Sequence, residues 1–514
     1  MSLGTAFFRR TGRLKLAVLP FLLGAFTVLA YAPFHFYFVP LLTLGWLFYL
    51  WQHAGSRRAA SLIGFAFGLG LFGVGVSWVY VSMHDFGMLP LPLAGLATLL
   101  FCAFFALYPT VIGYAQAWFK GAAPARLLLL LPASFALIEW VRGWLFTGFP
   151  WLSVGYSQVP SSPLAGYAPV LGVYGVSLLL ALSAGLCALI YQTWRDHRRR
   201  AGFAFAALLI LWGAGAGLKT IAWTQPFGTP VTVSLLQGNI EQDMKWREDR
   251  LMSTLVTYRD LVLSSPSQLV ILPETALPLF YDQVAPAYLE TLARSVRDKG
   301  GDLILGLPER DLERGGYYNS VLSLGTAPSQ FYRKQHLVPF GEFVPLKPVF
   351  GWFIDMMQIP LTDFARGSPL QRPLAVAGQK VAMNICYEDV FGEEIIRQLP
   401  EATLLANVSN MAWFGDFIAP RQHLQISQMR ALETGRYMLR ATNTGMTAIV
   451  DEKGRIIAQA PAFRTTALHG TAQGMIGSTP YVRWGNGLFL ALAALAGMAA
   501  LVISRRVGQR IDLH

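Results

Sequence analysis

Three side chains far apart in the chain have the types needed for nucleophilic acyl chemistry: Glu274 in LPETALP, Lys334 in YRKQHLVPFGE and Cys386 in MNICYEDV. Glu274 and Cys386 each close a stretch rich in Leu, Val and Ile, and Lys334 comes after the strand-like NSVLSLG. A carboxylate, an ammonium and a thiol at strand ends can meet at one site however distant in sequence. A free thiol with a pKa of about 8.5 is mostly protonated at neutral pH. A neighbouring carboxylate can take its proton on attack, provided burial lifts the acid toward neutrality. An ammonium can stabilise both the thiolate and the oxyanion of a tetrahedral intermediate. No histidine is required, although His336, close to Lys334 in sequence, leaves a Cys–His pair open.

These residues need elements to hold them, and the rest of the chain shows two textures. Of its 514 residues 54% are hydrophobic and only 14% charged, against about 25% charged in ordinary soluble domains. A membrane span takes about 20 mostly apolar residues. Candidate spans lie at about 14–33, 36–53, 59–80, 89–116, 124–143, 164–192 and 202–222, with another near 486–504. Basic residues cluster before the first span (Arg9, Arg10, Arg13, Lys15), at Arg57 and Arg58, at Lys120 and Arg126, at Arg195 and Arg198–Arg200, and at Arg505, Arg506 and Arg510. With about eight spans all of these fall on one side, which the positive-inside rule makes the cytoplasm. The net charge of +12 is then largely a topology signal, and nucleic-acid binding is the weaker reading. Cys102 and Cys187 lie in apolar runs and read as packing residues. The three cysteines form neither a disulfide framework nor a metal-binding spacing.

Domain boundaries follow. Residues 1–224 form a membrane domain of seven spans, 225–480 an outer domain tethered at both ends, and 481–514 the eighth span and a cytoplasmic tail. In the outer domain, 231–240, 267–277, 301–309, 319–325, 379–388, 402–410 and 446–457 read as strands. Segments 247–263, 287–300 and 422–442 have helical periodicity. The alternation predicts a layered α/β fold.

The stretches around Glu274, Lys334 and Cys386 resemble the Glu–Lys–Cys triad of the nitrilase, or carbon–nitrogen hydrolase, superfamily over roughly 230–470. Further motifs resemble the apolipoprotein N-acyltransferases: LVPFGEFVP (337–345), SNMAWFG (409–415), QHLQISQMRALETGRYMLRATNTG (422–445), EWVRGWLFTGFPW (139–151), GYSQ (155–158) and GVYGVS (172–177). One departure is Met411, where that family commonly carries an acid.

The resemblance implies an αββα sandwich on an eight-span membrane part, in the bacterial inner membrane with the catalytic domain periplasmic and both termini cytoplasmic. It implies a two-step transfer without metal or cofactor, carried out by a monomer. Cys386 attacks an ester of a phospholipid, usually phosphatidylethanolamine, giving a thioester. The amino group of a diacylglyceryl-cysteine apolipoprotein then takes the acyl chain. Glu342 is expected to orient Lys334 or tune the site. Tyr387 is expected to lend its amide and a pocket wall, and Glu388 to bond Lys334 or position substrate. Asn410 and Trp413 border the pocket, with Trp246 a weaker candidate at its mouth.

Other features have simpler readings. The apolar 349–361, VFGWFIDMMQIPL, reads as an arm dipping into lipid or as ordinary core. Glu139 and Arg142, spaced i, i+3, are expected to pair. Phe149, Trp151 and Tyr156 suggest an interfacial belt, and His84 and Asp85 a solvated loop. A membrane-tethered amidase with the same triad, and a transporter with an outer binding domain, are the alternatives. Few charges lie within the spans, which argues against the transporter.

Overall fold

The computed structural model describes residues 13–243, 245–311, 315–345 and 363–511. Arg9, Arg10 and the apolar 349–361 lie outside the described residues. The chain divides into two units: Met1–Val79 with Gly95–Ile221 and Trp484–His514, and Tyr80–Ala94 with Ala222–Arg483.

The first unit is helical. Among the described residues six helical segments are long and apolar enough to cross a membrane: Arg57–Gly75, Leu91–Gln116, Ala123–Arg142, Pro163–Thr193, Arg198–Leu218 and Gly487–Ser504. The first two expected spans are shorter, Arg13–Thr27 with a 3-10 turn Val28–Ala30, and Val39–Gln52. At 14 residues the latter rises only about 21 Å, less than the ~30 Å hydrocarbon core. Helices Arg13–Thr27 and Arg57–Gly75 pack closely through glycine: a Cβ on Gly24 would fall 1.9 Å from the Phe67 carbonyl oxygen, and one on Gly70 2.0 Å from that of Phe21.

Two expectations for this unit are corrected. Glu139 and Arg142 do not close an i, i+3 ion pair but each staples the following loop. Arg142 Nη1 donates to the carbonyls of Phe149 and Trp151, both at 2.5 Å, and Glu139 Oε1 accepts the Val154 N–H at 2.9 Å. Trp151 and Tyr156 are buried rather than forming a belt. Trp151 packs against Trp78 and Phe149, with ring centroids 5.2 and 6.2 Å away.

The second unit holds fourteen strands among its described residues: β1 Thr224–Pro226, β2 Val231–Gln237, β3 Leu269–Ile271, β4 Asp302–Asp311, β5 Gly316–Gly325, β6 Gln330–Arg333, β7 Leu374–Val376, β8 Gln379–Ile385, β9 Leu404–Ser409, β10 Met438–Thr442, β11 Ala448–Val450, β12 Ile456–Gln459, β13 Thr466–Ala472 and β14 Met475–Gly477. Apart from the β1–β14 ribbon they form two six-stranded sheets, ordered β13-β2-β3-β4-β5-β6 and β12-β11-β10-β9-β8-β7. Their inner faces share one core, in which Val233, Ile271 and Ile304 of one sheet join Met383, Ala406 and Leu439 of the other. Helices Glu248–Ser264 and Pro286–Arg297 cover the first sheet through Tyr258, Val262, Leu292 and Val296. Helix Ala419–Thr434 covers the second through Leu424 and Ala431. This is the expected αββα sandwich.

The reading of 422–442 as one helix is corrected. The helix ends at Thr434, where Gly435 takes the left-handed conformation (φ 62°), the common glycine stop. The next residues become β10, inside the second sheet. In the Tyr80–Ala94 segment, His84 is half-buried rather than solvated, its Nδ1 donating to the Leu89 carbonyl at 2.8 Å.

Gly306 in β4 lies against the loop that carries Glu274. A Cβ there would fall 2.6 Å from both the Pro273 oxygen and the Thr275 nitrogen. Gly306→Ala is therefore expected to displace that loop and destabilise the domain by about 1–3 kcal/mol, seen as a lowered Tm in scanning fluorimetry of the detergent-purified chain.

Candidate active site

The sandwich brings Glu274, Lys334 and Cys386 together from the ends of two strands of the first sheet and one of the second. Glu274 lies just beyond β3, Lys334 directly follows β6, and Cys386 directly follows β8. Lys334 is buried, and its Nζ donates to Glu342 Oε1 at 2.8 Å and to Glu274 Oε1 at 3.4 Å. Both acids are mostly buried as well. Asn319 on β5 ties them together, its Nδ2 donating to Glu274 Oε1 at 2.8 Å and Glu342 Oε1 at 3.0 Å. The Asn319 carbonyl also accepts the Lys334 N–H at 2.8 Å. Asn410 holds the other oxygen of Glu274, donating its backbone N–H to Oε2 at 2.8 Å.

Charge balance determines the resting protonation. Burial opposes charge on Glu274, but the Lys334 and Lys245 ammoniums hold its carboxyl below the usual carboxylate range. This reverses the expectation that burial lifts the acid toward neutrality, because two buried cations outweigh it. Burial and the Glu274 carboxylate push the Cys386 thiol well above its ordinary value, and Lys334 only partly offsets them. Burial lowers the pKa of Lys334 as well, yet Glu342 and Glu274 together raise it, so it stays charged. The site at rest is a neutral thiol beside an ionised carboxylate and an ammonium. With the acid lowered and the thiol raised, proton transfer from sulfur to carboxylate is uphill at rest and proceeds only as S–C bond formation makes the S–H acidic.

Glu388 does not bond Lys334. Its Oε1 accepts the N–H groups of Gln335 and His336 (2.6 and 3.1 Å), and its Oε2 accepts Ile385 N–H at 2.7 Å and the Tyr332 hydroxyl at 3.0 Å. It straps the chain leaving Lys334 to the chain entering Cys386. Burial pushes its pKa to about 7, against the pull of the Ile385 and His336 amides. His336 does not form the alternative Cys–His pair. Its Nδ1 lies 3.1 Å from Glu394 Oε1 and its ring stacks on Phe391 at 3.6 Å. Tyr387 is half-buried, its ring edge-on to Phe391 at 5.2 Å. Trp413 is half-buried and edge-on to Phe86 at 6.0 Å. Trp246 is also half-buried. The side chain of Asn410 donates to Gln242 Oε1 at 2.7 Å and accepts from Asn443 Nδ2 at 3.1 Å, which makes it a brace behind Glu274.

Met411 is buried, and its sulfur lies 3.1 Å from His423 Nδ1. The other nitrogen of His423 pairs with Asp389. The described residues hold no cluster of three or more His, Cys, Asp or Glu that could bind a metal.

Sequence reasoning missed Lys245 and Asn319. Lys245 is buried, and its Nζ donates to the Glu274 carbonyl at 3.2 Å. In sequence it sits in the polar stretch EQDMKWRED, where it reads as solvated.

Comparison with known proteins agrees with this architecture. Residues 232–481 match the carbon–nitrogen hydrolase family, so that segment of the second unit is a nitrilase-like catalytic domain. Residues 23–186 match the apolipoprotein N-acyltransferase N-terminal domain. An apolipoprotein N-acyltransferase of Nitrosomonas europaea is 56% identical over 95% of this chain and 97% of its own length. Relatives of the same name from Methylococcus capsulatus (45% identical over 94% of this chain and 95% of its own) and Chromobacterium violaceum (47% over 95% and 94%) are also similar. The chain belongs to the apolipoprotein N-acyltransferase family, and it is a membrane-associated acyltransferase.

Burial lowers the pKa of Lys245 to about 8, opposed by Glu274 and Cys386. The lysine is charged below that pH and neutral above it, so Glu274 loses one restraining cation and becomes a stronger base as pH rises through 8. Acylation of Cys386, followed as adduct formation against pH, is expected to rise through an inflection near 8 that Lys245→Met removes.

Proposed function

We propose that this protein transfers a fatty acyl chain from a phospholipid to the free amino terminus of a diacylglyceryl-cysteine apolipoprotein, with Cys386 as nucleophile, Glu274 as general base and acid, and Lys334 as the stabilising cation. The observation that carries this reading is the Lys334 Nζ held at 3.4 Å from Glu274 and 2.8 Å from Glu342 in the site that the end of β8 completes with Cys386. The names of the relatives favour transfer to an amine over hydrolysis of an amide.

In the first step the Cys386 sulfur bonds to the ester carbonyl carbon while its proton passes to Glu274. The oxyanion develops in the field of Lys334. As the C–O bond breaks, Glu274 returns the proton to the leaving lysophospholipid oxygen. In the second step the acceptor amine attacks the thioester and gives a proton to Glu274. The C–S bond breaks, and the sulfur regains its proton. Glu342 and Asn319 hold the lysine and the base in register throughout.

Residues 1–224 and 481–514 anchor the domain of 225–480 to the inner membrane, with that domain on the periplasmic face and both termini cytoplasmic. The enzyme works as a monomer, with phosphatidylethanolamine as donor and no metal or cofactor. Two lipid substrates explain the membrane unit, since drawing an acyl chain out of the bilayer costs about 0.8 kcal/mol per CH₂.

Mass spectrometry of the purified chain after incubation with phosphatidylethanolamine is expected to show one fatty-acyl adduct on Cys386. A diacylglyceryl peptide with a free N-terminus should discharge it. Cys386→Ala is expected to form no adduct and no product; acylation that persists in this variant would reject the mechanism.

A further inference from the structure

Behind Cys386 the second sheet carries a polar ladder. Asn384 on β8, Asn407 on β9 and Arg440 on β10 are register partners across adjacent strands. Their neighbours Met383, Ile385, Ala406, Val408, Leu439 and Ala441 face the inter-sheet core. Strand alternation therefore puts the three polar side chains on the opposite face. All three are buried. The Arg440 guanidinium is fully buried on a central strand, and among the described residues its Nη1 has partners while its Nε and Nη2 have none, so the partners of Nη1 show what it holds in place.

Those partners lead to the nucleophile. Asn407 Nδ2 donates to Asn384 Oδ1 at 2.6 Å and to the Cys386 carbonyl at 3.0 Å. Asn407 Oδ1 accepts from Ser409 Oγ at 2.6 Å and from Arg440 Nη1 at 2.8 Å. Arg440 Nη1 also donates to Asp389 Oδ2 at 3.0 Å. Ser427 Oγ reaches the same Asp389 oxygen at 2.5 Å, and His423 takes the other. The turn Cys386–Val390 is thus gripped at both ends, by the carbonyl of its first residue and the side chain of its fourth.

Cys386 needs such a grip. Its φ is +54°, a left-handed conformation that a non-glycine residue keeps only where its surroundings impose it. Glu388 holds the chain entering the turn through the Ile385 amide, and the ladder holds the chain leaving it.

We infer that Asn407 and Arg440 are positioning residues for acyl transfer. Asn407 pins the Cys386 carbonyl, and Arg440 fixes Asn407 and Asp389 while setting a permanent positive charge behind the sulfur. This deepens the proposed function and rests on Cys386 being its nucleophile. The Arg440 charge also opposes the burial that holds the thiol protonated.

The test uses the full chain in detergent and follows iodoacetamide alkylation of Cys386 by peptide mass spectrometry, alongside acyl transfer. Alkylation reads the thiol without either lipid substrate, so it separates failure of the ladder from failure of the proposed reaction. Asn407→Asp, which sets an oxygen against the Cys386 carbonyl, should lower both alkylation and kcat about tenfold or more with KM unchanged. Arg440→Met should move the alkylation profile to higher pH, and Arg440→Lys should restore it. A folded Asn407→Asp protein that alkylates and turns over like the wild type would overturn the proposal, as would identical pH profiles for the Met and Lys variants of Arg440. If Arg440→Met does not fold, the Asn407→Asp result decides, and if Asn407→Asp does not fold either, Asn407→Ser takes its place with the same expected and overturning results.

Discussion

A buried ammonium cannot stand alone. Lys334 is nearly inaccessible, and removing one partner of such a group costs about 3–5 kcal/mol. The site is organised around meeting that demand with two carboxylates. Glu342 comes from the loop after Lys334, and Glu274 from the loop after β3, an interior strand of the same sheet. Because both acids are spent on the lysine, and Lys245 adds a second cation, Glu274 stays ionised in a place where burial alone would protonate it. Cys386 is half-buried, and desolvation together with the Glu274 carboxylate keeps its sulfur neutral. The reactive charges are therefore arranged before substrate arrives, and what moves during attack is one proton.

Backbone straps supply the precision that side-chain pairing cannot. Glu388 spends its carboxylate on the amides of Gln335, His336 and Ile385. It thereby locks the exit of β6, which ends in the first sheet, to the end of β8 in the second. Asn319 performs a similar service for the two acids. Displacement of any of these strand ends would disturb the carboxylate, the ammonium and the thiol together.

Much of this was legible in the sequence, for identifiable reasons. Thiol, ammonium and carboxylate at strand ends stand out in a chain with so few charges, and the strands alternate with amphipathic helices strongly enough to show layers. Other features were hidden. The periodic pattern of 422–442 runs through Gly435, whose left-handed turn converts the tail into β10. Lys245 carries no mark distinguishing it from a solvated lysine, because the carbonyl it bonds, that of Glu274, is remote in sequence. Asn407 and Arg440 matter only through sheet register, which no local pattern encodes. The direction of the Glu274 shift depended on that unseen Lys245 as well as on Lys334.

The central claim is that Cys386 rests as a thiol beside an already ionised Glu274. Difference infrared spectroscopy of the full chain against Cys386→Ala and Glu274→Gln reads both groups directly. The account predicts an S–H band from Cys386 that persists to about pH 9, with a carboxylate band from Glu274 already present at about pH 6. Loss of the S–H band near neutral pH, or a protonated Glu274 there, would contradict it.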